Sequence, residues 1–338
     1  MLIVMKVGSK ESDIQHVTDQ IVSLGFTPLP VPGPSRTAIC VTGNKESVDE
    51  AIFLRMPGVK EVIRVTKSYK LVSREVHEED TVVDIAGVKI GGNHKAAIIA
   101  GPCSVEEESI TLAVAKKVKE VGGQLFRAGA FKPRTSPYDF QGLGLEGLKI
   151  LQKVKKETGL GVITEVIDTE LVDVVAEHVD ALQVGTRNMQ NYALLKKLSK
   201  IDKPIVLKRG MSSTLAEWLN AAEYILMGGN SQVILCERGI RTHSTHSRNT
   251  LDLNVVPMVR HTSHLPIIVD PSHGIGRRDF VRAMCRSAIA SGAQGLLVET
   301  HSHPEKAYSD QAQTIHIDTL AGVIRDADYL KGLEPIGD

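Results

Sequence analysis

The sequence predicts an α/β protein in two parts: a (β/α)8 TIM barrel, preceded by a small ferredoxin-like unit of βαββαβ order. Three observations carry this reading. After Lys95, a short apolar run followed by an amphipathic stretch recurs eight times. The apolar runs are nearly continuous, as parallel strands buried on both faces must be. Before Lys95 the order is strand, helix, strand, strand, helix, strand. A doubly wound open sheet would also alternate, but eight regular units over a span near the usual ~250 residues favour closure.

Taken in order, residues 2–7 form a strand. Residues 10–24 carry Ile14, Val17, Ile21 and Val22 at helical spacing, with Ser9 or Ser12 as the cap and Gly25 as the stop. Residues 30–34, rich in proline, join two strands. Residues 37–41 form a strand, 47–54 a short helix and 59–65 a strand. This makes 1–70 one domain. Residues 71–95 are a linker with a short hairpin around Ala86-Gly87, and 96–338 are the barrel. Its strands are 97–100, 124–129, 161–166, 181–185, 204–208, 232–236, 266–270 and 295–299. Ser104-Val105-Glu106-Glu107 has the spacing of a capping box and opens the first barrel helix. The later helices are 146–157, 169–177, 189–199, 215–227, 278–291 and 314–327. Residues 240–264 are the least regular connection.

Composition narrows the function. Lys+Arg and Asp+Glu are equal at 40 each, so a broad basic surface for nucleic acid is excluded and any cation cluster is local. The N-terminal apolar run is too short for a signal peptide, and no run spans a bilayer. Four scattered cysteines, Cys40, Cys103, Cys236 and Cys285, point to a reducing, cytoplasmic setting without a disulfide framework.

In a closed barrel the chemistry collects at the C-terminal strand ends. Two kinds of group gather there. Arg127, Lys132, Arg134, Arg187, Lys208, Arg209 and Arg238 are cations from several strand ends, which points to a pocket for more than one anionic group. Cys103, His273, Glu299 and Asp310 suit a borderline divalent ion (Mn, Fe, Co or Zn) better than Mg or Ca, with His301 and His303 as competing imidazoles. Cys103 alone would also read as a small buried hydrophobe.

Four segments in order resemble 3-deoxy-D-arabino-heptulosonate 7-phosphate (DAHP) synthase: residues 98–104 (IIAGPCS), 132–136 (KPRTS), 235–239 (LCERG) and 269–273 (VDPSH). Residues 69–75 (YKLVSRE) are similar to the lead-in of the class Iβ enzymes, and the N-terminal unit to the ferredoxin-like domain of Thermotoga-type members. The resemblance implies condensation of phosphoenolpyruvate with erythrose 4-phosphate, the first step of the shikimate pathway. It also implies one divalent metal ion on Cys103, His273, Glu299 and Asp310, polarising the aldehyde as a Lewis acid. Arg187 and Arg238, with Thr186 beside them, would hold the phosphate of phosphoenolpyruvate. Arg127, Lys132 and Lys208 would lie near its carboxylate and reacting carbons, and Arg134, Thr135 and Ser136 would take the aldose phosphate. Lys132 would handle a proton, and Glu165 would help orient the attacking water.

Two rivals remain at this level. The sister enzyme 3-deoxy-D-manno-octulosonate 8-phosphate synthase uses arabinose 5-phosphate, but its loop has Asn where this chain has Pro133. A non-catalytic phosphometabolite-binding barrel would bind without releasing phosphate. Fold-level likeness alone suggests a homotetramer, and feedback inhibition by Tyr or Phe through the N-terminal unit, whose other reading is an assembly role. Cys236 is a packed core residue or an oxidation partner of Cys103. His243, His246, His261 and His264 are solvated histidines or a second metal site.

Overall fold

The structure is a computed structural model and describes residues 1–33, 36–43, 48–63, 68–134 and 136–332. The chain divides into two compact units, Met1–Glu79 and Asp80–Asp338.

The first unit is a four-stranded antiparallel sheet under two helices. Its strands are β1 (Leu2–Met5), β2 (Thr27–Pro32), β3 (Thr37–Thr42) and β4 (Val59–Ile63), in the order β2-β3-β1-β4 that a ferredoxin-like fold requires. Helices α1 (Glu11–Ser23) and α2 (Glu50–Leu54) cover one face with Val17, Ile21 and Phe53, which meet Ile3, Met5 and Ile39 from the sheet. Two local expectations fail. Neither Ser9 nor Ser12 caps α1; the N-cap is Lys10, whose backbone N–H donates to the Asp13 carboxylate at 3.3 Å. Ser9 instead donates its hydroxyl to the Lys6 carbonyl at 2.8 Å. Nor are Pro30 and Pro32 loop residues: they lie in β2, where Pro30 faces Ile39. Pro28, Pro30 and Pro32 alternate along an edge strand, so their missing N–H groups all fall on its unpaired side and no ladder bond is lost. Residues 34, 47 and 64–65 of the expected elements, and 333–338 at the end of the expected barrel span, lie outside the described residues.

The second unit opens with a hairpin, β5 (Val83–Ile85) and β6 (Val88–Ile90). Ala86 (φ 51°) and Gly87 (φ 89°) make its two-residue turn, the geometry that matches strand twist. Eight parallel strands follow: β7 (Ala97–Gly101), β8 (Leu125–Arg127), β9 (Gly161–Val166), β10 (Ala181–Val184), β11 (Ile205–Lys208), β12 (Val233–Glu237), β13 (Ile267–Val269) and β14 (Gly295–His301). Each pairs with the next, and β14 returns to β7 through Glu299↔Gly101, which closes the barrel. Every strand sends a side chain into one core cluster, from Ile99 and Leu125 round to Ile268 and Leu297. Val83, Ile85 and Ile90 of the hairpin join that cluster, and a Cβ on Gly161, the first residue of β9, would meet Ala86. The hairpin therefore plugs the N-terminal end of the barrel. The C-terminal end is left for chemistry.

Helices α3 (Glu108–Glu120), α4 (Gly144–Thr158), α5 (Val172–His178), α6 (Tyr192–Leu198) and α7 (Leu215–Met227) follow strands β7 to β11. The irregular 240–264 connection holds α8 (Val255–Thr262). Two helices follow β13, the short α9 (Pro271–Ile275) and α10 (Arg278–Ala290). After β14 come β15 (Ile315–His316), a short partner to the end of β14, and α11 (Ile317–Lys331). The Ser104–Glu107 spacing does not cap α3. That helix starts at Glu108, four residues after Ser104, with Glu107 as its N-cap and no side-chain cap bond. Ser104 instead forms a β-bridge to Gly129.

Candidate active site

The strand ends bring four potential ligands together. The Cys103 sulfur and donor atoms of His273, Glu299 and Asp310 all lie within 4.8 Å of one another. Cys103 follows β7, and its thiol donates to Asp310 Oδ2 at 2.8 Å. Glu299 is on β14, where it is fully buried and accepts from Arg127 at 3.0 Å. Gln313 also donates to it. His273 is on α9. Asp270 sets its orientation twice: Oδ1 accepts the His273 backbone N–H at 3.0 Å, and Oδ2 accepts Nδ1–H at 2.7 Å. That leaves Nε2 aimed at Glu299 Oε1, 3.5 Å away. A carboxylate behind an imidazole is the usual means of fixing a ligating tautomer.

The electrostatics fit a cation. Burial pushes the Cys103 thiol up to about 12, and Glu299 adds to this against Lys132 and Arg127. Only a metal charge among these donors would make it a thiolate near neutral pH. Burial outweighs Asp270 and Glu299 to lower His273, so the imidazole is neutral and its Nε2 lone pair is available. For Asp270 burial opposes ionisation, but His273 and Lys208 overcome it and hold the carboxyl well below its ordinary range. Asp310 is likewise lowered despite burial, through His273, the Cys103 thiol and Arg248. The quartet is thus a soft, partly anionic donor set that suits Mn, Fe, Co or Zn. His301 faces Glu106 instead of the quartet, and His303 lies near Glu305 at the surface.

Beside the quartet is a cleft of about 370 Å³, lined by Arg127, Lys132, Pro133, Arg134, Glu165, Thr186, Arg187, Lys208, Arg238, His273 and Asp310. All belong to the second unit. Lys132 Nζ stands 3.0 Å from both the carbonyl oxygen and the sulfur of Cys103. Gly129 permits this, since a Cβ there would come within 2.8 Å of the Lys132 side chain. Arg127 donates Nε–H to Gln183 Oε1 at 3.1 Å, and Gln183 donates to Glu165 at 3.1 Å. Gly185 leaves the space for Glu165, whose Oε1 would lie 1.9 Å from a Cβ at that position. Lys208 donates to Asp270. Arg134 is turned by a bond from its Nε–H to the Phe140 carbonyl at 3.0 Å. Ser136 is half-buried and accepts the Tyr138 N–H outside the cleft lining, and Thr135 lies outside the described residues.

Two cations differ from the rest. Arg238 is 4% exposed, its one hydrogen bond is a long 3.4 Å contact to the Gly239 carbonyl, and its Nε has no partner among the described residues. Burial lowers its pKa, with Asp270 only partly opposing. Arg209 does not join the cleft. It donates to Glu237 at 3.0 Å, Asp252 at 2.9 Å and the Ser213 carbonyl at 3.0 Å, which corrects its place among the anion-binding cations.

Sequence reasoning missed Gln183, Gln313, Arg241 and Arg248. Arg241 and Arg248 line the cleft, and Arg248 bonds Asp310 at 2.7 Å and Gln313 at 2.6 Å. A lone Gln inside the apolar run Leu182-Gln183-Val184 was the available signal for the first. Arg241 and Arg248 fall in the irregular 240–264 connection, where nothing local marks them. Cys236 and Cys103 are both free buried thiols, and Cys236 sits in the barrel core cluster. His243, His246 and His261 are exposed, and the buried His264 meets Thr81 at 2.7 Å. No metal-holding group among the described residues includes any of these four.

Comparison with known proteins gives a consistent picture. The profile of the DAHP synthetase I family matches residues 72–331, and that of the DAHP synthase ferredoxin-like domain matches 1–67. A phospho-2-dehydro-3-deoxyheptonate aldolase of Thermotoga maritima is 46% identical over 326 residues, covering 96% of each chain. A 2-dehydro-3-deoxyphosphooctonate aldolase of Syntrophotalea carbinolica is 32% identical over 72% of this chain and 93% of its own. The crystal structure of the Thermotoga maritima DAHP synthase superposes with a TM-score of 0.77 over 97% of this chain and 96% of that one, at 45% identity. A truncated form of the Thermotoga maritima synthase matches with a TM-score of 0.73 over 78% of this chain and 96% of its own, also at 45% identity.

Proposed function

The chain belongs to the DAHP synthetase I family and carries out its reaction, phosphoenolpyruvate with erythrose 4-phosphate and water giving DAHP and phosphate; we propose that the cleft described above divides that work among its residues as follows. The buried guanidinium of Arg238, whose Nε is unpartnered and which pairs with no carboxylate among the described residues, is the observation that carries the proposal. A buried cation without an acid is costly unless an anion completes it. Arg238 with Arg187 and Thr186 takes the phosphate of phosphoenolpyruvate. Arg127 and Lys208, each already held by a carboxylate, present their remaining N–H donors to its carboxylate. Arg134, with Thr135 and Ser136, takes the phosphate of the aldose.

Cys103, His273, Glu299 and Asp310 hold one divalent ion, whose chemistry when bound is Lewis-acid polarisation of a carbonyl oxygen. Lys132 Nζ, beside Cys103, delivers a proton to the aldehyde oxygen as C3 of phosphoenolpyruvate attacks the aldehyde carbon. Glu165, held by Gln183, orients the water that adds at C2 and accepts its proton. Phosphate then leaves with cleavage of its C–O bond. The stronger likeness to the heptonate aldolase, and the presence of Pro133, favour erythrose 4-phosphate over arabinose 5-phosphate.

The deciding assay is metal-dependent release of phosphate from phosphoenolpyruvate with each aldose phosphate. Turnover is expected with erythrose 4-phosphate, and preference for the pentose would overturn the substrate assignment. Lys132→Met should cost roughly 10²–10⁴-fold in kcat, the range of a positioned acid–base group, while bound metal is retained. Near-normal turnover would remove Lys132 from the proton step.

The proposal extends to the first unit, which has its own core. It carries feedback inhibition by Tyr or Phe. Deleting residues 1–70 should leave catalysis and abolish inhibition; inhibition surviving the deletion would refute the assignment. A homotetramer in the cytoplasm completes the reading, the location supported by Cys103, Cys236 and Cys285 being free buried thiols.

A further inference from the structure

The Ser104–Glu107 segment looks like a helix cap in sequence and is not one in the structure. Its polar groups face the loop that carries Asp310. Glu106 is 1% exposed. Its Oε1 accepts the Tyr308 backbone N–H at 2.9 Å, and its Oε2 lies 3.3 Å from His301 Nε2. His301 Nδ1 accepts the His303 N–H at 2.9 Å, so the proton of a neutral ring sits on Nε2, the atom facing the carboxylate. Neither Glu106 Oε2 nor His301 Nε2 has another partner among the described residues. Thr111 locks the backbone beneath, accepting the Glu106 N–H and donating to the Glu106 carbonyl, both at 3.1 Å. Nearby, the Ser104 and Ser309 hydroxyls meet at 3.1 Å.

We propose that Glu106 is a positioning residue that clamps the Asp310 loop onto the segment carrying Cys103, and so assembles two of the four metal ligands. Glu106 is three residues after Cys103, and Tyr308 is two residues before Asp310. Between His301 and Ile315 the regular structure is the short turn Pro304–Lys306, and Asp310 is held besides by Arg248 on its carboxylate and by the Gln313 N–H and Thr314 hydroxyl on its carbonyl. Asp310 itself adopts φ 54°, a conformation that a non-glycine residue keeps only when its surroundings impose it. A carboxylate buried as fully as Glu106 is not there for packing, since burial costs it solvation that only specific partners return. The exposed bond from Tyr308 Oη to Glu107 at 3.2 Å adds a solvent-side contact of little weight. The inference rests on Cys103 and Asp310 being ligands, as proposed above.

The test is titration of the metal-free, full-length protein with Co²⁺, reading the dissociation constant and the thiolate-to-cobalt absorption band. Glu106→Ala should weaken Co²⁺ binding about 10–100-fold, the usual loss when a ligand's supporting partner is removed. Glu106→Gln keeps an acceptor for the Tyr308 N–H and should recover most of the affinity. A simple loss of stability would lower the melting temperature without this rescue of binding. If the Ala variant does not fold, Glu106→Asp decides, since it keeps the charge but falls short of Tyr308; weakening of at least about fivefold is expected on the same grounds. Wild-type affinity in folded Ala or Asp variants would overturn the clamp. A failure of the ligand assignment looks different: Cys103→Ser would then bind Co²⁺ like the wild type, and neither protein would show the thiolate band.

Discussion

Arg209 and Arg238 leave the C-terminal ends of neighbouring strands, β11 and β12, with exposures of 5% and 4%. In sequence they are equivalent: each is an arginine next to a charged residue at the end of an apolar run. In the fold, Arg209 is shared between Glu237 and Asp252, and those carboxylates raise its pKa despite burial. Arg238 has no acid in contact among the described residues, and burial lowers its pKa. The first is an internal ion pair that ties strand end to loop. The second is, on the reading proposed above, a charge that a substrate anion completes. A count of strand-end cations therefore overstates the anion pocket, and the presence or absence of a carboxylate partner separates structure from function.

Breaking the Arg209 side should have the largest effect on stability. Arg209→Met strands Glu237, already raised by burial, and should cost about 3–5 kcal/mol, the usual penalty for breaking one side of a buried pair. Thermal or denaturant unfolding would measure it; a loss below 1 kcal/mol would mean that Glu237 simply protonates. Arg238→Ala should do the reverse. It should raise KM for phosphoenolpyruvate by about 10–100-fold, in keeping with the ~1.5–3 kcal/mol of a charged hydrogen bond, and leave the melting temperature unchanged or higher. Steady-state kinetics together with melting would decide, and a stability loss with normal KM would reverse the assignments of the two arginines.

A subtler contrast lies between these permanent cations and the thiol of Cys103, which burial pushes up to about 12. It is protonated at neutral pH in the metal-free fold and must lose its proton to ligate. His273 is lowered and already neutral, and Asp310 and Glu299 are lowered and already ionised, so if the four hold an ion as proposed, one proton is released per ion bound. Apparent metal affinity should rise about tenfold per pH unit between about pH 7 and 9. A flat profile by competition titration would mean that sulfur is not a ligand. The smallest effect belongs to the outer helices. Asp326, between Arg282 and Arg286, is lowered by both, so the stability it contributes is present at neutral pH and lost as pH falls through its folded pKa. Both arginines are more than one-third exposed, so Asp326→Asn should cost at most about 1 kcal/mol, with kinetics unchanged.

Much of this is legible in the chain itself. Nearly continuous apolar runs specify a parallel sheet, because strands covered on both faces leave no polar alternation, and their number, eight, favours closure. Cys103, His273, Glu299 and Asp310 stand out because each is polar at the boundary of a buried strand or in the loop just after one. Other features were invisible for a common reason. Residues 30–34 read as a turn until the edge-strand position of Pro30 and Pro32 is known. Ser104–Glu107 reads as a cap until Tyr308 and Ser309, about two hundred residues later, are found to take its polar groups. Arg248 and Gln313 acquire meaning only on meeting at Asp310.

The sequence by itself thus determined which residues are buried, which strands they form and which chemical types gather at one end of the barrel, since these follow from local periodicity and hydropathy. Only the tertiary structure decided which charges are spent on one another. Pairing energy depends on distances between residues far apart in the chain, and no local pattern encodes whether Arg209 or Arg238 will find a carboxylate waiting.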